Sequence, residues 1–175
     1  MVCGYFTIFG HDITVEMKPK VLLDQEKAKS NELLLNILPY AAAQRLKSGD
    51  QVIADSHPAV TVVFTDIVGF TPRSSGKAAE QVVAELLRLF TAFDGCAQPH
   101  RVTQKIKTIG DAYMCAMGWE EGVEADAAEM LWMAFEMIEF SHGKGLDIRE
   151  GMHIGPVVAG VVGVQKMTYD IWGTL

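Results

Sequence analysis

Two aspartates follow strand-like stretches at points where the chain must turn. Asp66 comes directly after the apolar run 60–64 and precedes Gly69 and Pro72, and Asp111 lies at the tip of a predicted hairpin. If the hairpin strands flank the first strand, the two carboxylates meet at one end of a sheet, where a hard divalent cation stabilises such a pair. Aspartate is also a common turn residue because its side chain bonds the local backbone, and spacing alone favours that structural role.

Two further charged residues interrupt apolar segments. Lys107 lies between Ile106 and Ile109, and Asp170 follows Tyr169 in another apolar stretch. An exposed strand lysine and a solvent-facing acid are the ordinary interpretations. The alternative is recognition, because an ammonium group donates hydrogen bonds and a carboxylate accepts them. Neither residue decides a function by itself.

The composition excludes several classes of function. The 175 residues carry 15 Lys and Arg against 22 Asp and Glu, a net charge of −7, which argues against a nucleic-acid binder. The longest apolar runs are too short to cross a bilayer, and the sequence contains no P-loop, GxGxxG or GxSxG motif. Its five histidines have no ligand spacing and its three cysteines form no CxxC pair, which argues against zinc and disulfides. We expect a cytoplasmic location, no nucleic-acid contact and no membrane contact from these residues, while membrane attachment of a longer parent protein stays open.

The hydrophobic pattern predicts the elements that must position the charged residues. It indicates a strand over 60–64, a helix over 77–93, strands over 101–107 and 112–117, a helix over 124–141, strand-like segments over 149–154 and 157–164, and an extended piece from residue 169. This order is the split-βαβ pattern. We therefore predict an α+β, ferredoxin-like antiparallel sheet with both helices on one face.

The first fifty residues have a different pattern. Residues 1–20 mix β-branched and aromatic positions and predict a lone strand that reaches Thr14, which must pair with something outside the chain. Residues 21–38 lack Gly and Pro and predict a helix. Its heptad seam from Leu23 is polar at two of five positions, so a short coiled coil and an amphipathic helix lying on its own domain are both open. Pro39 fits the first turn of a second short helix.

Four segments form a pattern that none of them forms alone. They begin at Phe64, Lys105, His153 and Tyr169, and read FTDIVGFT, KIKTIGDAYM, HIGPVVAGVVG and YDIWG. In order and spacing they resemble the class III nucleotidyl cyclase catalytic domain, of the adenylyl cyclase type. The resemblance covers residues 57–175.

The resemblance implies an adenylyl cyclase that converts ATP to 3′,5′-cyclic AMP and pyrophosphate at a homodimer interface. It implies that Asp66, Asp111 and the backbone carbonyl of Ile67 hold two Mg²⁺ or Mn²⁺ ions. It also implies that Lys107 and Asp170 of the other subunit bind adenine, because guanylyl members carry an acid and commonly a cysteine at these positions. A guanylyl or dual-specificity cyclase, and a non-catalytic nucleotide-binding or dimerisation module, are the alternatives.

The resemblance extends to the segments on either side. Residues 21–48, with LLLNILP, look like the signalling helix and short helix before such domains, and residues 1–20 are weakly similar to the exit of a PAS sensor domain, which implies an upstream sensor. The family places an Asn and an Arg beyond the YDxxG segment, whereas this sequence stops at Leu175. We expect a longer parent chain, and metal or ATP binding that survives better than turnover.

Overall fold

The structure, a computed structural model, describes residues 14–98, 103–119, 127–163 and 166–173, with side chains from residue 21 onward. It divides into two compact units, Met1–Gly49 and Asp50–Leu175.

The first unit is helical where it is described. Helix α1 spans Thr14–Leu35 and helix α2 spans Tyr40–Lys47, with Pro39 as its N-cap residue. The predicted strand is wrong from Thr14 onward, because the residues that follow are mostly good helix formers, and residues 1–13 lie outside the described part. The apolar side chains of α1 are mostly exposed, and the coiled coil stays a prediction.

The second unit is built on an antiparallel sheet. Its strands are β1 (Ile53–Ile67), β2 (Thr103–Ile109), β3 (Ala112–Met117), β4 (Ile148–Val162) and β5 (Thr168–Gly173), and its helices are α3 (Phe70–Ser74), α4 (Ala79–Ala97) and α5 (Ala127–His142). The strand order is β2-β3-β1-β4-β5. The split-βαβ fold is therefore confirmed, and β1 begins before the predicted boundary at residue 57.

Helices α4 and α5 cover one face of the sheet, as predicted. The core on this face consists of Val63, Ile67, Leu89, Phe93, Ala97, Tyr113, Cys115, Met117, Met130, Met133, Met137 and Leu146. Side chains alternate between the two faces of a strand, which explains why alternate residues of β3 belong to this core. The methionines of α5 fill the core rather than a cofactor site.

The other face of the sheet is concave. The sheet curls so strongly that its two edge strands, β2 and β5, contact each other. The concave face has its own apolar cluster, formed by Val60, Val62, Met114, Ala116, Ala159 and Ile171. Next to it, the rings of Trp119 and Tyr169 meet edge to face with their centroids 6.5 Å apart. This second cluster holds the curl together and fixes where the edge strands meet.

Strand β4 runs without interruption through Gly155 and Pro156, where the sequence predicts two separate segments. Opposite this dipeptide, the register between β1 and β4 shifts between His57 and Val60. Proline cannot donate to a strand ladder and is tolerated at bulges. The irregular pairing thus accommodates both Pro58 and Pro156 within long strands.

Gly160 lies where β4 approaches β1 most tightly. A Cβ atom at this position would lie 2.2 Å from the carbonyl oxygen of Ile53. We expect Gly160→Ala to lower the free energy of unfolding by about 1–3 kcal/mol, measured by urea denaturation, because the backbone must shift. Gly151→Ala is the matched control, since its Cβ would meet nothing within 4 Å. Equal losses in the two variants would contradict this expectation.

Candidate functional site

The carboxyl groups of Asp66 and Asp111 lie side by side. Asp66 is next to the last residue of β1, and Asp111 follows Gly110 in the turn between β2 and β3. Strand β3 pairs with β1 up to Thr65, so this turn reaches the end of β1. Gly110 has a φ of 62°, a conformation that glycine adopts readily. The pairing therefore brings together the two acids that the sequence places far apart.

The environment of the Asp111 carboxyl group is unusual for an acid. Burial raises the pKa of Asp111, and the neighbouring Asp66 carboxylate raises it further, while the backbone N–H groups of Asp111 and Ile67 oppose the shift. Two carboxylates this close repel each other unless a proton or a cation lies between them. A positive charge between the two carboxyl groups would therefore stabilise this arrangement.

The donor set fits a hard divalent cation. Within the described ranges, no group of three or more His, Cys, Asp and Glu side chains forms a metal cluster. Two carboxylates with backbone oxygen and water suit Mg²⁺ and Mn²⁺, which keep several waters and substrate phosphate oxygens as ligands. Metal binding by Asp66, Asp111 and the carbonyl of Ile67 stays a prediction.

Arg149 adds a cation that the sequence analysis missed. In the β1–β4 ladder it stands opposite Asp66, and its Nε and Nη2 atoms lie 2.7 and 2.5 Å from Asp66 Oδ2. Its side chain is 76% exposed, so the guanidinium is accessible to an anionic ligand. Only the strand register reveals this pairing, since the two residues are remote in sequence.

Lys107 and Asp170 form an ion pair in the same chain. Lys107 Nζ lies 2.5 Å from Asp170 Oδ2, and both side chains are partly exposed. Asp170 Oδ1 also accepts the backbone N–H of Ile171 at 2.9 Å, which orients the carboxylate. The pair joins β2 to β5, the two edges of the curled sheet. Adenine recognition by this pair stays a prediction.

A β-bulge makes the side chains of Lys105 and Lys107 point to different faces of the sheet. The pairing of β2 with β3 shifts between these two residues, whereas a regular strand would point both to one face. Lys105 Nζ instead lies 3.0 Å from Asp94 Oδ2 on α4 and 5.1 Å from the Tyr113 ring centroid, on the helix-covered face. The bulge thereby leaves Lys107 to meet Asp170.

The four predicted site residues that act through their side chains form two pairs. Along β4, Asp66 stands opposite Arg149, whereas Asp170 stands opposite Gly160, near the other end of the strand. In the register, Asp170 therefore stands near the opposite end of β4 from the acidic pair. Lys107, which pairs with Met114 of β3, reaches Asp170 because the curl of the sheet brings β2 to β5.

Glu150 is a second residue that the sequence analysis missed, and it is an acid. It stands opposite Thr65 in the ladder, and the Thr65 hydroxyl donates to Glu150 Oε1 at 3.1 Å. Burial raises the pKa values of Cys96 and Cys115, and the charge of Glu150 adds to both shifts, which places Glu150 near the helix-covered core. Burial raises the pKa of Glu150 from 4.5 to about 7, although the Thr65 hydrogen bond opposes the shift.

This shift predicts how stability depends on pH. Because the folded protein holds the Glu150 proton more tightly than the unfolded chain does, stability falls as pH rises from about 5 to about 8. In Glu150→Gln this loss should shrink by about 1–3 kcal/mol, measured as the free energy of unfolding in urea at both pH values. Glu26→Gln, on the exposed helix α1, is the control and should keep the wild-type pH dependence. An unchanged pH dependence in Glu150→Gln would contradict the expectation.

The sequence and the fold are similar to known proteins. Residues 52–175 match the family model described as "Adenylate and Guanylate cyclase catalytic domain". The germination-specific adenylate cyclase of Dictyostelium discoideum is 36% identical over 167 residues, or 90% of this chain. The membrane guanylyl cyclase of the same organism is 38% identical over 159 residues, or 87% of this chain. The chain spans 19% and 11% of the lengths of these two relatives.

A solved structure agrees with these similarities. The catalytic core of a rhodopsin-guanylyl cyclase with converted specificity, in complex with ATPalphaS, is 35% identical with a TM-score of 0.63, covering 69% of this chain and 68% of that one. Separately, within the described ranges, no helix combines the length and apolar character needed to span a membrane.

Proposed function

Because the chain belongs to the class III adenylate and guanylate cyclase catalytic domain family, we propose that it converts ATP to 3′,5′-cyclic AMP and pyrophosphate. The observation that carries the proposal is the contact between the carboxyl groups of Asp66 and Asp111. Relatives of both base specificities match the chain, so cyclisation of GTP, or of both nucleotides, is the second candidate.

The acidic pair and Arg149 together suit a triphosphate. Two divalent ions held by Asp66, Asp111 and the carbonyl of Ile67 would increase the acidity of the 3′-hydroxyl group and neutralise the leaving pyrophosphate. Arg149 binds Asp66 through one carboxylate oxygen at the protein surface. In the proposed complex its guanidinium turns to a phosphate oxygen, for which its planar donors are well suited.

The Lys107–Asp170 pair supports ATP as the substrate. Adenine offers an acceptor at N1 and a donor at its 6-amino group, which match an ammonium and a carboxylate. Guanine offers a donor at N1 and an acceptor at O6, so it would face Lys107 and Asp170 with the wrong polarity. A buried mismatch of this kind costs about 1–3 kcal/mol for each unpaired group.

The proposed active unit is a homodimer. The acidic pair and Asp170 stand near different ends of β4, and a two-fold axis could bring the acidic pair of one subunit and the Lys107–Asp170 pair of the other to the same nucleotide. The concave face also exposes the apolar side chain of Phe64, which is 39% accessible to solvent. This side chain offers an apolar contact for a second subunit.

The test is a product assay of the natural full-length protein. Purified protein with Mn²⁺ should convert ATP to cyclic AMP with a higher kcat/KM than it shows for GTP. A preference for GTP would favour the second candidate. Nucleotide binding by calorimetry without any product would instead favour a non-catalytic module.

The homodimer has its own test, which mixes two inactive variants. Asp66→Asn lacks an acid and Lys107→Glu lacks the base contact, so a heterodimer of the two has one intact site if the pairs act across the interface. Equal mixing should restore about a quarter of wild-type turnover, since about half of the dimers are heterodimers with one working site each. If both pairs act within one chain, the mixture stays inactive.

A further inference from the structure

A cavity lies on the helix-covered side of the sheet, and its lining includes none of the candidate site residues. It has a volume of about 310 Å³ and lies between α4, the end of α5 and the turn that follows α5. Its floor includes Leu89 and Leu146, which are 2% and 6% exposed, together with Phe140. A cavity of this volume with an apolar floor has the dimensions of a small-molecule pocket.

Two cations stand in the lining of this cavity. Arg88 is fixed on α4 by its Nε atom, which donates to the carbonyl of Ala84 at 3.2 Å. Lys144 follows α5, and its Nζ atom lies 5.6 Å from the ring centroid of Phe140, a favourable cation–π geometry. The cavity therefore combines an apolar floor with two positively charged groups held in place.

Glu85 is the one acid among the described residues of the lining, and its negative charge is balanced by two cations outside the lining. Its Oε1 accepts from Arg73 Nε and Nη2 at 3.2 and 3.1 Å, and its Oε2 accepts from Lys77 Nζ at 2.6 Å. These bonds hold the pKa of Glu85 below its ordinary value despite partial burial, so it stays ionised and paired. On a chain with a net charge of −7, the surroundings of this cavity are locally basic.

Two further ionisable groups, His142 and Asp147, bind each other near the end of α5. Asp147 follows the floor residue Leu146, and its carboxylate lies 3.0 Å from His142 Nε2. Both side chains are highly exposed and neither lines the cavity. Arg88 and Lys144 both line the cavity, and neither forms an ion pair with a carboxylate in the part of the chain that the structure describes.

We propose that this cavity binds a small molecule with a carboxylate head and an apolar body. The apolar body covers Leu89, Leu146 and Phe140, which removes their surface from water. The carboxylate binds Arg88 and Lys144 through charge-assisted hydrogen bonds. A neutral molecule of the same shape lacks the second interaction, and a small inorganic anion lacks the first.

Binding of octanoate to the full chain tests this proposal. With ¹³C-labelled leucine methyl groups, the NMR signals of Leu89 and Leu146 should shift saturably, with half-saturation at or below about 1 mM. Octanamide, which has the same chain without the charge, should bind about tenfold more weakly. The readout does not depend on catalytic activity, so it is independent of the proposed cyclase function.

Paired variants separate this site from general attraction of anions. Arg88→Gln with Lys144→Gln should weaken octanoate binding about tenfold and leave octanamide binding unchanged. Lys27→Gln with Lys29→Gln on α1 makes the same change in charge and should leave both unchanged. The proposal is overturned if the leucine signals do not shift, if octanamide binds as tightly as octanoate, or if inorganic phosphate displaces octanoate at equal concentration.

Discussion

Replacing Asp66 with Asn is expected to reduce nucleotide cyclisation about a thousandfold and to weaken Mn²⁺ binding, while the fold persists. The carboxylates of Asp66 and Asp111 lie side by side where β1 ends. Removing one halves the negative charge available to a divalent cation, and metal-based stabilisation of developing charge amounts to several kcal/mol. The measurements are turnover of the natural full-length protein with Mn²⁺ and Mn²⁺ titration calorimetry.

The cost to stability should be small because Asp66 is partly exposed and its partner Arg149 is largely so. Loss of an exposed ion pair changes the free energy of unfolding by about 1 kcal/mol or less. Asp24→Asn, which makes the same change on the exposed helix α1, is the control and should keep full activity. Retained Mn²⁺ binding and turnover in Asp66→Asn would remove the basis for the proposed metal site.

The contact between Asp66 and Asp111 could be anticipated from the order of elements. In a split-βαβ sheet, the hairpin strand β3 pairs with β1, so the hairpin tip must approach the end of β1. Predicting it needed only the two turns and the alternation of strands and helices. The helix-covered core followed for the same reason, because the apolar spacing of α4 and α5 determines which faces they bury.

Arg149 and Glu150 could not be anticipated, because their roles depend on strand register. A shift of one residue in the pairing of β4 with β1 would send each side chain to the opposite face. No local pattern shows that Arg149 meets Asp66 or that Glu150 meets Thr65. Both residues read as ordinary charged positions in a polar strand until the ladder is known.

Lys107 shows the same limit in another form. Alternation of side chains along a strand would direct Lys105 and Lys107 to one face. A bulge lies between them, and no glycine there marks it in the sequence. The bulge, together with the curl that joins β2 to β5, produces the contact with Asp170. A long-range property of the whole sheet thus determines this pair, which sequence reasoning reached only through a family resemblance.

Exchanging the base contacts is expected to reverse the substrate preference. Lys107→Glu with Asp170→Cys replaces the ammonium with an acceptor and the carboxylate with a weak donor, which suits the N1 donor and O6 acceptor of guanine. Two reversed contacts at about 1–3 kcal/mol each should change the ratio of kcat/KM for ATP over GTP by about a hundredfold or more. The measurement is the formation of cyclic AMP and cyclic GMP from a mixture of ATP and GTP.

The double exchange is needed because the two side chains are an ion pair at 2.5 Å. Lys107→Glu alone places two carboxylates against each other, and Asp170→Cys alone leaves the ammonium without its partner. Each single variant should therefore lose activity with both nucleotides, and the double variant should recover it with GTP. This non-additive pattern is expected of residues in contact.

Lys107→Met with Asp170→Asn separates base recognition from the structural role of the pair. It removes both charges without presenting the guanine edge with an acceptor at residue 107, so it should lose the preference for ATP and gain no turnover of GTP. Thermal unfolding then reports how much the pair stabilises the contact between β2 and β5. The contrary result is that Lys107→Glu with Asp170→Cys keeps the wild-type preference for ATP while its melting temperature falls. In that case the pair stabilises the contact between β2 and β5 and does not recognise the base.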